Sequence, residues 1–174
     1  MAGITNSDPA AMKNRTTVER QGDRELVVTR TFNAPAPIVF EAWTKSELLQ
    51  RWWAPKSFGV TFISCTVEVR TGGSYHFVFG HPSSEQPMAF FGRYIEVTPP
   101  SRLVWTNDES GESGSVTTVT FEQRDAATVV VMHDLYRSKE ALDDAIASGS
   151  TCGFGEIFDQ LDDLLATLDM TVGR

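Results

Sequence analysis

The chain has 174 residues, 41% of them hydrophobic and 22% charged, and carries a formal net charge of −8. That length fits one domain with room for a buried core. The acidic balance, with scattered Lys and Arg and a pI near 4.8, excludes a phosphate-backbone partner and argues against an anionic membrane surface.

Residues 1–23 are polar and aperiodic and read as a flexible arm. "RELVVTRTF" (24–32) is β-branched and short, which predicts a strand. Asn33 is a candidate helix N-cap with Pro35 in the first turn, where a missing N–H costs nothing. Val39, Phe40 and Trp43 then recur at helical spacing in "PIVFEAWT". Ser46 is placed to cap a second short helix, "SELLQRWW", which Pro55 ends because a residue before proline is pushed out of the helical region. From Gly59 onward the pattern becomes six strands separated by turn signals: "VTFISCTVEV", "SYHFVFG", "AFFGRYIEV", "RLVWTN", "SVTTVTFEQ" and "ATVVVMHDLY". Two helical segments close the chain. Ser138 and Gly149 bound the first. The second, "EIFDQLDDLLATL", carries Ile157, Phe158, Leu161, Leu164, Leu165 and Leu168 as one apolar stripe, with acidic residues opposite.

A long amphipathic helix cannot bury its stripe alone, and an antiparallel sheet needs a cover on one face. The predicted class is therefore α+β: a curved antiparallel sheet of about seven strands wrapped on the C-terminal helix, with two short helices after the first strand. Gly72, Gly73 and Gly92 stand where a strand can bend. Imperfectly matched curvatures leave a gap between sheet and helix, and a gap lined by aromatics suits an apolar ligand. No secretory h-region opens the chain and no apolar run approaches the ~20 residues of a membrane span, so a soluble, cytoplasmic protein is expected.

Five stretches, "APAPIVFEAWT", "LLQRWWAP", "VRTGGSYHFVF", "GRYIEVTPPSRLVWT" and "CGFGEIFDQLDDLL", carry a resemblance in this order and at these spacings. Together they resemble the SRPBCC superfamily of START-like, birch-pollen-allergen-like helix-grip domains. The nearest branch is the one related to the C-terminal domain of the heat-shock-protein-90 ATPase activator. The resemblance implies one START-like helix-grip domain over 24–174. Phe154 stands where the family often has Trp. His133 lies near a strand-end His of many members, with the register open by one residue.

Trp52 and Trp53 pose the question of which indole faces inward, since neighbouring helical residues point about 100° apart. Alternation groups Tyr75, Phe77 and Phe79 on one face, as it does Phe90, Gly92 and Tyr94, Leu103 and Trp105, and Val119 and Phe121. With Trp43, Phe58, Phe154, Phe158 and Leu161, these groups either wall an aromatic cavity or close into a solid core. Arg93, Glu96 and His133 are the polar candidates for the cavity. His76 falls on the exposed face, and His81 lies in a polar loop.

No catalytic residue is assigned. No nucleophile elbow, Walker loop, calcium-loop pattern in "NDESGE" or zincin spacing is present, and no metal or cofactor is expected. Cys65 and Cys152 read as reduced thiols. The leading expectation is a module that binds a small apolar molecule, lipid-like or polycyclic. A cyclase- or hydratase-type enzyme on the same cavity follows. A co-chaperone-like domain that engages a chaperone, implied by the resemblance alone, comes third.

Overall fold

Every second residue of β2 (Glu25–Phe32) is buried, namely Leu26, Val28, Arg30 and Phe32, as a sheet covered on one face requires. The same alternation recurs along β4 (Ser74–His81), β7 (Val116–Arg124) and β8 (Ala127–Leu135). The computed structural model describes residues 15–108, 114–149 and 153–172, with side chains as far as residue 168. With β1 (Thr17–Gln21), β3 (Thr61–Val67), β5 (Ser84–Thr98) and β6 (Arg102–Thr106), the strands form one antiparallel sheet in the order β1-β2-β8-β7-β6-β5-β4-β3. Two short helices, α1 (Ala36–Ala42) and α2 (Ser46–Trp52), follow β2, and α3 (Lys139–Ala147) and α4 (Phe154–Val172) follow β8. Helix α4 packs on α1, α2 and β2. The architecture is the predicted α+β helix-grip arrangement.

The sheet has eight strands rather than seven. The additional one is β1, within the segment read as an arm, where it pairs antiparallel with β2 from Thr17↔Thr29 to Gln21↔Glu25. All five of its side chains are exposed, so its place is secured by backbone hydrogen bonds and leaves no period-two hydrophobic signal. Residues 1–14 of the predicted arm, Cys152 and the acidic hairpin tip at 109–112 lie outside the described residues. Strand β5 is longer than predicted, because the polar segment read as a loop pairs back on β4 as far as His81↔Ser84.

Capping also differs in part. Helix α1 takes Pro35 rather than Asn33 as its N-cap, and α2 takes Lys45 rather than Ser46, neither with a side-chain cap bond. Ser138 does cap α3, its hydroxyl accepting from Ala141 N–H at 3.1 Å. No helix among the described residues is long and apolar enough to cross a membrane.

Curvature comes from register shifts at Phe62/Ser64, Phe79/His81 and Tyr94/Glu96, since a bulge bends its strand. Gly92 deepens the bend. It faces Tyr75 across the ladder, and a Cβ there would stand 1.9 Å from the Thr106 carbonyl oxygen and 2.9 Å from the Tyr75 ring.

The sheet's inner face meets α4 through Phe158 and Leu161, both fully buried, and through an ion pair. Arg30 is 2% exposed and donates to Asp159 at 2.9 Å and to Asp162. The acidic side of α4 is therefore not wholly a solvated face: two of its carboxylates neutralise an inward-pointing arginine.

Candidate functional site

The paired tryptophans divide the work between core and cavity. Trp52 is fully buried, its indole N–H donating to the Ala42 carbonyl at 2.9 Å and its ring set edge-on to Trp43 at 4.8 Å. Trp53 is half-buried and turns the other way, against Trp43, Phe77 and Trp105. After Pro55 a short 3-10 turn (Lys56–Phe58) carries the chain over the start of α4.

Two α4 side chains fasten that turn. Gln160 donates from Nε2 to the Trp52 and Ala54 carbonyls, both at 2.9 Å, and accepts from Lys56 N–H at 2.9 Å. Glu156 accepts from the Ser57 amide at 2.8 Å and from its hydroxyl. These bonds lower the Glu156 pKa. Gly153 permits the close approach, since a Cβ there would lie 2.9 Å from Pro55 Cγ.

Trp53 and Phe90 are shared by three adjoining cavities. The innermost, about 80 Å³, is walled by Trp43, Tyr75, Phe77, Tyr94 and Trp105 with Asn107 as its polar member. Trp43 Nε1 is buried without a hydrogen-bond partner among the described residues, a donor that a bound acceptor would satisfy. An apolar groove of about 350 Å³ runs under Phe58, Phe79, Met88, Phe154 and Ile157. The largest space, about 570 Å³, opens between the β6–β7–β8 end of the sheet and α3.

That third cleft holds a polar ladder. Tyr75 OH donates to the Thr106 carbonyl at 2.8 Å and lies 3.2 Å from Asn107 Oδ1. Asn107 Nδ2 donates to Thr117 Oγ1 at 3.0 Å, and Thr117 Oγ1 donates to Asp134 Oδ1 at 2.6 Å. Asp134 is 7% exposed. Burial pushes its carboxyl up to about 6, against the opposing effects of the Thr117 hydrogen bond and the charge of His133. Tyr136, on the same wall, is pushed up to about 12 by burial, with the Asp134 charge adding to it.

The structure brings Trp43, Trp53, Phe58, Tyr75, Phe77, Phe79, Phe90, Tyr94, Trp105 and Phe154 to these walls. Trp52, Phe121, Phe158 and Leu161 are absent from the walls and lie in the core behind Trp43, where its ring also meets Phe121 at 5.8 Å and Phe158 at 6.0 Å. None of the three polar candidates reaches the cavities. Arg93 is 70% exposed and pairs with Asp108, and Glu96 pairs with Arg102 and Thr98. His133 turns to the other face of β8, 2.7 Å from Glu25.

The inward polar group is Asp134, one residue further on. Its signal is in the sequence: Thr128, Val130, Met132 and Asp134 alternate onto the buried face of β8. Thr117 carries the same signal, alternating with Val119 and Phe121 onto the buried face of β7, whereas Asn107 carries none, because its role depends on the strand ends. Among the described residues, no cluster of three His, Cys, Asp or Glu side chains is arranged to hold a metal ion.

Comparison with known proteins places this geometry. The profile of the family described as "Activator of Hsp90 ATPase homolog 1-like protein" matches residues 33–166. Among solved structures, a Rhodobacter sphaeroides protein is 25% identical, with TM-score 0.80 over 88% of this chain and 99% of its own. A Staphylococcus epidermidis protein is 26% identical, with TM-score 0.71 over 87% and 94%. A protein of Aeromonas hydrophila described as AHSA1-like shares the fold at 17% identity, with TM-score 0.64 over 82% and 93%. No curated protein matches the chain.

Proposed function

The chain belongs to the family of activator of Hsp90 ATPase homolog 1-like proteins, and we propose that this member binds a small, largely apolar molecule between the sheet and α4. One observation carries the reading. Aromatic side chains from the C-terminal ends of α1 and α2 and from β4, β5 and β6 line three adjoining cavities that share Trp53 and Phe90. The larger two spaces have the size of small-molecule sites, and their contact surface is supplied mainly by rings. The enzyme reading has less support, since Arg93, Glu96 and His133 all turn away from the cavities and Asp134 is the one carboxylate buried in their walls among the described residues. The co-chaperone reading rests on the family description alone.

Titration with Nile red, an uncharged environment-sensitive dye, tests the proposal. Saturable binding by the wild type is expected. Trp53→Ala should weaken it by roughly tenfold while the fold persists, as expected for removing one aromatic wall. Absence of saturable binding by the folded wild type overturns the proposal.

A further inference from the structure

Asp134 is a buried carboxylate that makes no ion pair among the described residues, the charge of His133 acting on it only from a distance. Its hydrogen-bond partner among the described residues is a neutral hydroxyl, Thr117 Oγ1, at 2.6 Å. None of the described residues lining its cleft is Lys, Arg or His. His133 is adjacent in sequence but points to the opposite sheet face, where Glu25 holds it. The contrast with α4 is sharp, since Asp159 and Asp162 are answered by Arg30. A buried charge that its own fold does not neutralise is costly to keep unless something else pairs with it.

The surroundings of Asp134 indicate what would pair with it. The cleft is walled by Trp53, Phe90, Trp105, Tyr136 and Phe154, rings whose faces attract a cation. Asp144 of α3 adds a second acidic group to the same wall. Trp53, Phe90 and Phe154 continue into the apolar groove, so hydrocarbon and charge have adjoining places.

We propose that the cleft selects organic cations, apolar molecules carrying a protonated amine, with Asp134 receiving the ammonium group and the Trp53–Phe90–Phe154 rings the hydrocarbon. The proposal deepens the ligand-binding reading above and rests on it. Burial raises the Asp134 pKa only to about 6, so the group is ionised at neutral pH and loses its charge as the pH falls through that value. A bound ammonium favours the ionised form and extends that range downward. The other titratable groups on the cleft wall, among the described residues, are Tyr136 just after β8 and Asp144 from α3; Thr117 comes from β7, Ser115 from just before it, and Asn107 from just after β6.

The test uses matched probes that differ only in the head group: 1-naphthylmethylamine, 1-naphthylmethanol and 1-naphthoate, titrated calorimetrically into the full chain. The amine should bind roughly ten- to a hundredfold more tightly than the alcohol, as expected for a charged hydrogen bond in a buried site, and the carboxylate most weakly. Asp134→Asn should remove the preference for the amine and leave the alcohol's affinity within about twofold. In the wild type, lowering the pH from about 7.5 to about 5 should weaken the amine, but not the alcohol, which checks the assignment without any substitution.

Equal binding of amine and alcohol overturns this inference and leaves the ligand-binding reading intact. A preference that survives Asp134→Asn overturns the role of Asp134. Failure of all three probes and of Nile red overturns both readings.

Discussion

Replacing Asp134 with Asn removes a buried charge and keeps an oxygen that can still accept the Thr117 hydroxyl. In the folded protein the carboxyl titrates at about 6 instead of its ordinary 3.8. The native state therefore holds a proton that the unfolded chain has already released between those values. By linkage, stability falls as the pH rises through that window, and the penalty is complete above it. At about 1.4 kcal/mol per tenfold, the full difference comes to roughly 3 kcal/mol. Because Asp134 is only 7% exposed, little of this is lost to solvent screening.

The Asn variant should thus be more stable than the wild type at neutral pH, and its advantage should grow by roughly 1–2 kcal/mol between about pH 5 and pH 8. Urea denaturation of both proteins across that range measures it, and subtracting the curves cancels the other carboxylates. A difference that stays flat with pH, or a wild type more stable than the variant at pH 8, would refute the reasoning.

Arg30→Ala removes the buried cation that pairs with Asp159 and Asp162, and should cost roughly 3–5 kcal/mol in denaturant unfolding. Arg30→Met, which restores much of the volume, should not cost more than the alanine variant, because the lost charge is common to both. Gly92→Ala drives a methyl group into the Thr106 carbonyl, a backbone atom that cannot swing aside, so a loss of roughly 3 kcal/mol or more is expected from the same assay.

The parts of this molecule written as repeating patterns were readable from sequence. The Tyr75, Phe77 and Phe79 face of β4 and the leucine stripe of α4 both bury the side chains that alternation and helical spacing select. Strand β1 was not readable, because "TVERQ" contributes backbone hydrogen bonds and no buried side chain. Helical spacing turns only one of Trp52 and Trp53 inward, and which one depends on the direction of α2 relative to α4, a long-range relation. Asp134 is legible from its alternation with Met132 onto the buried face of β8, whereas its neighbour His133 falls on the opposite face. The pairing of Arg30 with α4 spans more than a hundred residues of chain, and local pattern carries no information at that distance.

Gln160 turns two elements into one mechanical part. Its amide reaches the carbonyls on either side of Trp53, so this stretch of the cavity wall is bolted to a helix rather than hung on a loop. Displacing the backbone at Trp53 outward means breaking both bonds or carrying α4 along with it. The helix is in turn moored to the sheet through Asp159, Asp162 and Arg30. Outward displacement of this stretch of backbone therefore loads that ion pair, so the stiffness of the mooring, rather than the softness of the rim, resists it.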